Sequence, residues 1–174
     1  MTTDSTICAL SSPAGQGAIA LIRLSGTDAF KLTGQILDSQ GRKKSLADEA
    51  PNTVHLDRIM EGNKLVDEVL ISVFRAPNSY TGEDVVEISC HGSPLIQQKI
   101  LELLIREGAV LAKPGEFTQR AFLNGKMDLS QAEAVADLIA AGSAAAHRLA
   151  MNQMRGGFSE EIRKLRNELL QFII

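Results

Sequence analysis

The spacing of apolar residues changes once along this 174-residue sequence, close to Lys126. Before Lys126, short apolar runs of β-strand length alternate with segments of helical spacing, and turn residues separate them. After Lys126, only helical spacing is found. Strands joined by hairpins, together with separate helices, are typical of α+β proteins. The sequence therefore predicts an α+β domain with a mixed sheet over residues 1–120, followed over residues 121–174 by helices that open an all-α domain.

Six segments of the first part have the composition of β-strands, and three have the spacing of helices. The predicted strands are residues 6–10, 18–24, 53–60, 64–75, 84–90 and 109–112. The predicted helices are residues 25–37, 94–107 and 115–123. The turn sequence Glu-Gly-Asn between the third and fourth strands indicates a β-hairpin. Ser93 followed by Pro94 is typical of a helix start.

The helical part contains two candidate start signals and one long apolar stripe. Asp128 with Gln131, or Ser130 with Glu133, has the spacing of a capping box. The stripe keeps its phase through Gly156-Gly157, which favours one long helix over a break at the two glycines, although two glycines inside a helix cost about 2 kcal/mol relative to alanines. The sequence ends in QFII without a C-cap signal, so we expect the helix to continue in a longer parent chain. The stripe consists of Met151, Met154, Phe158, Ile162, Leu165, Leu169 and Phe172.

Composition and charge exclude several classes of protein. Hydrophobic residues make up 44% of the sequence and charged residues 22%, which is typical of globular proteins. The net charge of −3 makes this chain alone a poor electrostatic partner for nucleic acid. The G-x-x-x-x-G-K-[ST] motif is missing, so we expect no nucleotide hydrolysis by this chain. The cysteine spacing predicts no metal site, and the lack of a signal peptide or membrane-spanning run predicts a cytoplasmic protein without membrane association.

Glu87 is a carboxylate inside the apolar strand Val-Val-Glu-Ile-Ser-Cys. Because side chains alternate along a strand, Glu87 shares one face with Val85 and Ser89. Either this face is solvated, or the carboxylate binds a ligand that presents paired N–H donors. Arg23, a single cation on the strand face of Ile19, raises the same question. It is either the ion-pair partner of Glu87 or a group that holds a ligand anion or carbonyl, and the sequence leaves both possibilities open.

Three further residues are weaker candidates. Cys90 and His91 are neighbours, but adjacent strand residues point to opposite faces, so a thiol–imidazole pair is disfavoured. A buried cysteine that packs as a small hydrophobic residue is the expected role of Cys90. His91, at the end of the strand, is either a hydrogen-bonding loop residue or a ligand contact. Lys126, after Asn124-Gly125, is either a solvated lysine or an anion contact.

Three segments of the sequence resemble the N-terminal part of the MnmE (TrmE) family of tRNA-modifying GTPases. They are DSTICALSSPAGQGAIALIRLSG, PNSYTGEDVVEISCHGSP and KPGEFTQRAFLNGKMDLSQAEAVADLI. The resemblance implies an N-terminal domain similar to the folate-binding domain of the glycine-cleavage aminomethyltransferase, then a helical domain with a Ras-like G domain inserted in it. This chain lacks the G domain, with its magnesium and potassium sites, and the C-terminal cysteine motif. GTP hydrolysis is therefore expected of the longer parent alone, with no catalytic residue in this chain.

The resemblance also implies a ligand and partners. A tetrahydrofolate site is expected where two N-terminal domains, residues 1–120, meet in a homodimer. Its contacts map to Arg23, Glu87 and Lys126, with Tyr80 as a cover for the ring and His91 as a further candidate. The ligand is expected to be 5-formyl- or 5,10-methylene-tetrahydrofolate.

In the family, GTP hydrolysis works with the FAD-dependent partner MnmG (GidA) to add an aminomethyl-type group at C5 of the tRNA wobble uridine. The folate supplies the one-carbon unit. Two alternatives remain at the level of the sequence. The domain is a dimerisation and docking scaffold without an active folate site, or it is a thiol enzyme that uses Cys90.

Overall fold

A computed structural model describes residues 5–38 and 44–171, without the side chains of residues 158–160. Strands and helices are mixed up to residue 123, and only helices follow, so the α+β prediction is confirmed. The strands are β1 (Ile7–Leu10), β2 (Ile19–Ser25), β3 (Thr53–Glu61), β4 (Lys64–Phe74), β5 (Val85–His91) and β6 (Val110–Leu111). The helices are α1 (Ala29–Gln35), α2 (Pro94–Arg106), α3 (Glu116–Leu123), α4 (Leu129–Ala140), α5 (Ala144–Met154) and α6 (Gly157–Gln171), with a 3₁₀ turn at Leu46–Asp48.

The six strands form one sheet in the order β3-β4-β5-β2-β1-β6. Neighbouring strands are antiparallel except for β1 and β6, which are parallel. The predicted hairpin is present: β3 and β4 pair along their length, and Gly62 in the turn has φ +58°. Strands β5 and β2 lie in the middle of the sheet, so the residues on them are flanked by strands on both sides.

One face of the sheet forms the hydrophobic core. Alternate residues of β2 and β5 are buried on it, as the period of two in the sequence predicts. Helix α2 adds Ile100, Leu103 and Leu104, which recur at helical spacing and are fully buried. Burying each such side chain contributes about 2 kcal/mol. Pro94 begins α2, and Gly108 with φ +116° follows its end, as the sequence predicts.

The opposite face of the sheet, which we call the outer face, is only partly covered. Cross-strand pairing puts Val54 and Leu56 of β3 beside Ser72 and Leu70 of β4. Leu70 in turn pairs with Ser89 of β5, so these side chains share the face that carries Glu87. Val54, Leu56 and Leu70 are exposed, as is Ile19 on β2. The outer face therefore combines exposed apolar side chains with the charged residues of the central strands.

The prediction of one long helix through Gly156-Gly157 is wrong. Helix α5 ends at Met154 and α6 begins at Gly157. Gly156 has φ +84°, a left-handed conformation that an α-helix does not contain and that glycine adopts readily at helix ends. The stripe in α6 presents Ile162, Leu165 and Leu169 as exposed residues. The side chain of Phe158 and residue Phe172, also assigned to the stripe, lie outside the described residues.

The chain divides into two compact units between Phe117 and Thr118. In the second unit, the capping box of Asp128 and Gln131 starts α4: Gln131 N–H donates to Asp128 Oδ1 at 2.8 Å, and Asp128 N–H donates to Gln131 Oε1 at 2.9 Å. Gln131 Nε2 also donates to the carbonyl oxygen of Met154 at 2.9 Å, which links α4 to the end of α5. None of the described helices is both long and apolar enough to span a lipid bilayer.

Candidate functional site

Arg23 and Glu87 form an ion pair at the centre of the outer face. They occupy directly paired positions of β2 and β5. Arg23 Nε donates to Glu87 Oε1 at 2.8 Å, and Arg23 Nη2 lies 2.7 Å from the same oxygen. Both side chains keep about a fifth of their surface exposed, 22% and 21%. The ion pair considered at the level of the sequence is thus present, and both of these contacts end on Oε1.

Two aromatic rings lie against the guanidinium group of Arg23. Its Cζ atom is 5.1 Å from the ring centroid of Tyr80 and 5.6 Å from that of Phe117. Such contacts attract a cation to the ring face. Tyr80 is a predicted site residue, whereas the sequence analysis did not single out Phe117. Its only sequence signal is an aromatic residue at the start of α3, which is not specific.

A hydrogen-bond network holds the loop that carries Tyr80, between β4 and β5. The hydroxyl of Ser25 on β2 lies 2.6 Å from that of Thr81 and donates to Glu83 Oε2 at 2.6 Å. Ser25 and Thr81 are fully buried. The Ser79 hydroxyl donates to the carbonyl oxygen of Glu83 at 2.6 Å. Because a buried hydroxyl is costly unless it is hydrogen-bonded, this network favours one loop conformation.

His91 lies on the same strand as Glu87 but contacts a different residue. Its ring Nδ1 is 2.7 Å from Asp67 Oδ1, and its backbone N–H donates to Asp67 Oδ2 at 2.9 Å. The side chain of His91 is 70% exposed, while that of Asp67 is only 7% exposed. The sequence analysis did not single out Asp67, because a carboxylate in the strand Lys64–Phe74 carries no local signal for this contact.

Lys126 belongs to the second unit, in the turn between α3 and α4. Gly125 has φ +70°, and the backbone N–H of Lys126 donates to the carbonyl oxygen of Ala121 at 2.9 Å. Lys126 is an exposed residue. Its assignment to the same ligand as Arg23 and Glu87 stays a prediction.

Cys90 has the environment of a core residue. Its side chain is buried, and its Sγ lies 3.6 Å from the carbonyl oxygen of Ala20. Burial, with a smaller contribution from the charge of Asp67, raises the pKa of the Cys90 thiol to about 11. At neutral pH the thiol is therefore protonated, whereas a nucleophile needs the thiolate. The exposed His91 and the buried Cys90 also follow the predicted alternation between the two faces of the sheet.

A groove of about 360 Å³ lies elsewhere, between the β3–β4 hairpin and the start of α2. It contains no predicted site residue. Apolar side chains such as Leu65 and Leu95 line the groove, together with charged residues. Among the charged residues, Lys99 Nζ lies 2.9 Å from Glu61 Oε1. Lys99, with Arg106, lowers the pKa of the Glu61 carboxyl below its usual range. The Arg23–Glu87 site and this groove are therefore separate features.

Comparison with known proteins gives two matching family models. The model described as "GTP-binding protein TrmE N-terminus" matches residues 6–126, and the one described as "MnmE helical domain" matches residues 129–174. Lys126 is the last residue of the first match.

Several curated proteins, each named "tRNA modification GTPase MnmE", are similar to the chain. The protein from Christiangramia forsetii is 59% identical over 172 residues, which is 99% of this chain and 36% of the relative. The one from Bacteroides fragilis is 58% identical over 167 residues, 96% of this chain and 36% of the relative. The one from Flavobacterium johnsoniae is 56% identical over 172 residues, 99% of this chain and 37% of the relative.

The chain thus spans little more than a third of the length of these relatives. The family models together cover residues 6–126 and 129–174, and the boundary between them falls where strand and helix give way to helix alone. The chain belongs to the MnmE (TrmE) family, of which it represents the N-terminal domain and the beginning of the helical domain.

Proposed function

We propose that the chain is the tetrahydrofolate-binding, dimer-forming part of a longer tRNA-modifying GTPase. The observation that carries the proposal is the Arg23–Glu87 pair: a partly exposed carboxylate on the central strands whose two contacts with its counter-ion both end on Oε1. An ion pair formed only for stability would gain from a two-pronged contact, in which both carboxylate oxygens accept from the guanidinium. Here both contacts end on Oε1 instead, which leaves acceptor capacity on Oε2.

The residues of the site fit a reduced pterin. Its ring N–H and 2-amino group are adjacent donors, and Glu87 Oε2 has two lone pairs to accept from them. Nη1 of Arg23, which is not used in the ion pair, supplies donors for a ligand carbonyl oxygen. Tyr80 and Phe117 add flat apolar surface next to the guanidinium. When bound, the folate supplies the one-carbon unit, and this chain's residues bind and orient it.

Lys126 completes the proposed contacts. An ammonium group is suited to the carbonyl oxygens and the glutamate carboxylates of folate, and its exposure keeps it accessible to a ligand. The proposed ligand is 5-formyl- or 5,10-methylene-tetrahydrofolate. We propose His91 as a further contact.

The outer face also supports dimerisation. Val54, Leu56 and Leu70 are exposed apolar side chains on adjacent strands, and Ile19 is exposed next to the site. Contiguous apolar surface of this kind is typical of protein interfaces. A second copy that covers this face would also enclose the Arg23–Glu87 pair, which strengthens its hydrogen bonds by excluding water. We expect Leu56→Glu to lower the sedimentation mass from dimer to monomer, while Leu95→Glu, outside the outer face, leaves it unchanged.

The remaining part of the proposal concerns the longer parent, because the relatives are named for tRNA modification and GTPase activity. In it, a G domain with magnesium and potassium hydrolyses GTP. An FAD-dependent MnmG partner and a tRNA join in the cytoplasm, where an aminomethyl-type group is added to C5 of the wobble uridine. The exposed apolar outer face favours one alternative, a dimerisation and docking scaffold that binds no folate.

Calorimetry with 5-formyltetrahydrofolate tests the proposal. We expect saturable binding to the 174-residue chain that Glu87→Gln weakens by about 2 kcal/mol, the scale of a lost hydrogen bond to a charged group. Glu102→Gln is the matched control, because Glu102 is an exposed carboxylate on α2. A folded dimer that releases no heat with the folate would refute the proposal. It would favour the alternative of a dimerisation and docking scaffold.

A further inference from the structure

The groove between the β3–β4 hairpin and α2, which we call the hairpin groove, has the dimensions of a binding site. Its volume of about 360 Å³ lies within the range of ligand sites in proteins. The α2 residues that line it recur at helical spacing and so share one side of the helix, and they include Leu95, Gln98, Lys99 and Glu102. The helix rises by about 10 Å from the first of these to the last. The hairpin groove is therefore long enough for about three residues of an extended segment.

A β-bulge shapes the hairpin side of this groove. The register of the hairpin shifts between Ile59 and Met60, and Val66 is the extra residue of β4. A bulge changes the direction in which the neighbouring side chains point. Leu65 and Val66 both line the groove, although adjacent residues of a regular strand point to opposite faces. Val66 and Ile96 also pack against the hydrophobic core, so they form the floor of the groove.

The apolar walls of the groove remain open to solvent. Leu65 on the hairpin is 57% exposed, and Leu95 in the first turn of α2 is 77% exposed. A small-molecule site encloses most of its ligand, whereas leucines as exposed as these are typical of a surface that another protein covers. The shape and exposure of the groove therefore favour a protein segment as its occupant.

The end of the groove near the hairpin turn carries an excess of positive charge. Lys99 and Arg106 both contact the carboxylate of Glu61, and Lys99 Nζ also lies 4.0 Å from Glu102 Oε2. Lys64 lines the same groove and forms no ion pair with any residue that the structure describes. Three cations thus accompany two carboxylates, so this end of the groove favours one further negative charge.

We propose that the hairpin groove docks a segment of a partner protein that carries apolar side chains next to a carboxylate. The apolar side chains pack between Leu65 and Leu95, and the carboxylate pairs with Lys64. A second copy of this chain fits less well, because a two-fold contact would bring together two grooves with the same excess charge. Docking here is independent of folate binding at Glu87, since the groove contains none of the residues proposed for the folate.

Selection of short random peptides displayed on phage tests this proposal with the 174-residue chain. Peptides that bind the wild type are depleted against Leu95→Glu, so that only those that need the groove remain. Leu95 is exposed, so its replacement leaves the fold intact. We expect the remaining peptides to carry Asp or Glu next to apolar residues. The same selection on Lys64→Glu should replace their acidic residues by Lys or Arg, because the charge of the groove is reversed.

Fluorescence anisotropy of one selected peptide measures the size of each effect. We expect Leu95→Glu to weaken its binding at least tenfold, because a leucine contact is lost and a like charge is added. Lys64→Gln should weaken it about threefold, the scale of an exposed ion pair. Leu56→Glu is the matched control, since Leu56 is an equally exposed leucine on the outer face, and it should leave the binding unchanged.

Three results would overturn the proposal. The first is that no peptide distinguishes the wild type from Leu95→Glu. The second is that the peptides that need the groove show no preference for acidic residues. The third is a fall in the sedimentation mass on Leu95→Glu, which would make a second copy of the chain the occupant. Each of these results leaves the proposed folate site unaffected, because calorimetry with the folate tests that site separately.

Discussion

Arg23 and Glu87 lie opposite each other on the two central strands, and both contacts of the guanidinium end on the same carboxylate oxygen. A guanidinium can instead contact both oxygens of a carboxylate in a two-pronged arrangement. Two aromatic rings lie against the same guanidinium group. Because both side chains of the pair are partly exposed, we expect the stability of the chain to depend little on it.

A double-mutant cycle measures that dependence. We expect Arg23→Met and Glu87→Gln to show a coupling of about 1 kcal/mol or less in the free energy of unfolding, because partly exposed ion pairs contribute little. Urea denaturation of the wild type, both single variants and the double variant gives the value. A coupling above about 3 kcal/mol, the scale of a buried pair, would indicate a structural role and contradict this expectation.

Ser25→Ala should destabilise the chain by about 1–3 kcal/mol, because it removes the hydrogen bonds that the buried Ser25 hydroxyl makes with Thr81 and Glu83. Thr81, one of those partners, is itself fully buried. Ser93→Ala is the control, since the Ser93 side chain makes no capping hydrogen bond to α2, and we expect a change within about 0.5 kcal/mol. Thermal unfolding compares the two variants. Equal effects would mean that the Ser25 network does not hold the loop.

Gly156→Ala tests the break between α5 and α6 by the sign of its effect. Alanine is strained at φ +84°, so we expect the free energy of unfolding to fall by about 1 kcal/mol. In a continuous helix the same change would stabilise by about 1 kcal/mol. Gly142→Ala serves as the control, because an added Cβ there meets open space and its φ is not left-handed. Chemical denaturation of both variants gives the two signs.

The two buried thiols should make the chain less stable in alkali. Burial raises the pKa of both Cys8 and Cys90 from 9.0 to about 11. Between these values the unfolded chain loses protons that the folded chain retains, so the free energy of unfolding falls as the pH rises. Cys90→Ala should therefore destabilise less at about pH 10 than at about pH 8. If Cys90→Ala lowers the free energy of unfolding equally at both pH values, the pKa of the Cys90 thiol is not raised in the folded chain.

Local sequence signals predicted the strands and helices well, because the formation of these elements depends mainly on residues that are close together in the sequence. The period of two along β2 and β5 gave the buried and outer faces correctly, including the opposite exposure of Cys90 and His91. The choice between two capping boxes was left open, and the structure has the one at Asp128. The long helix failed, because apolar spacing reports which face is buried and not the backbone angle at Gly156.

By itself, the sequence determined which residues form strands and helices, which side chains share a face, and that Glu87 and Arg23 needed partners. Only the tertiary structure decided which residues those partners are. Strand β5 pairs with β2 across 64 residues of chain, and that register sets Arg23 against Glu87. The contacts of Asp67 with His91 and of Phe117 with Arg23 also join residues that are far apart in the sequence. Periodicity is a local property that short segments encode, whereas strand order and register follow from burying the whole core at once.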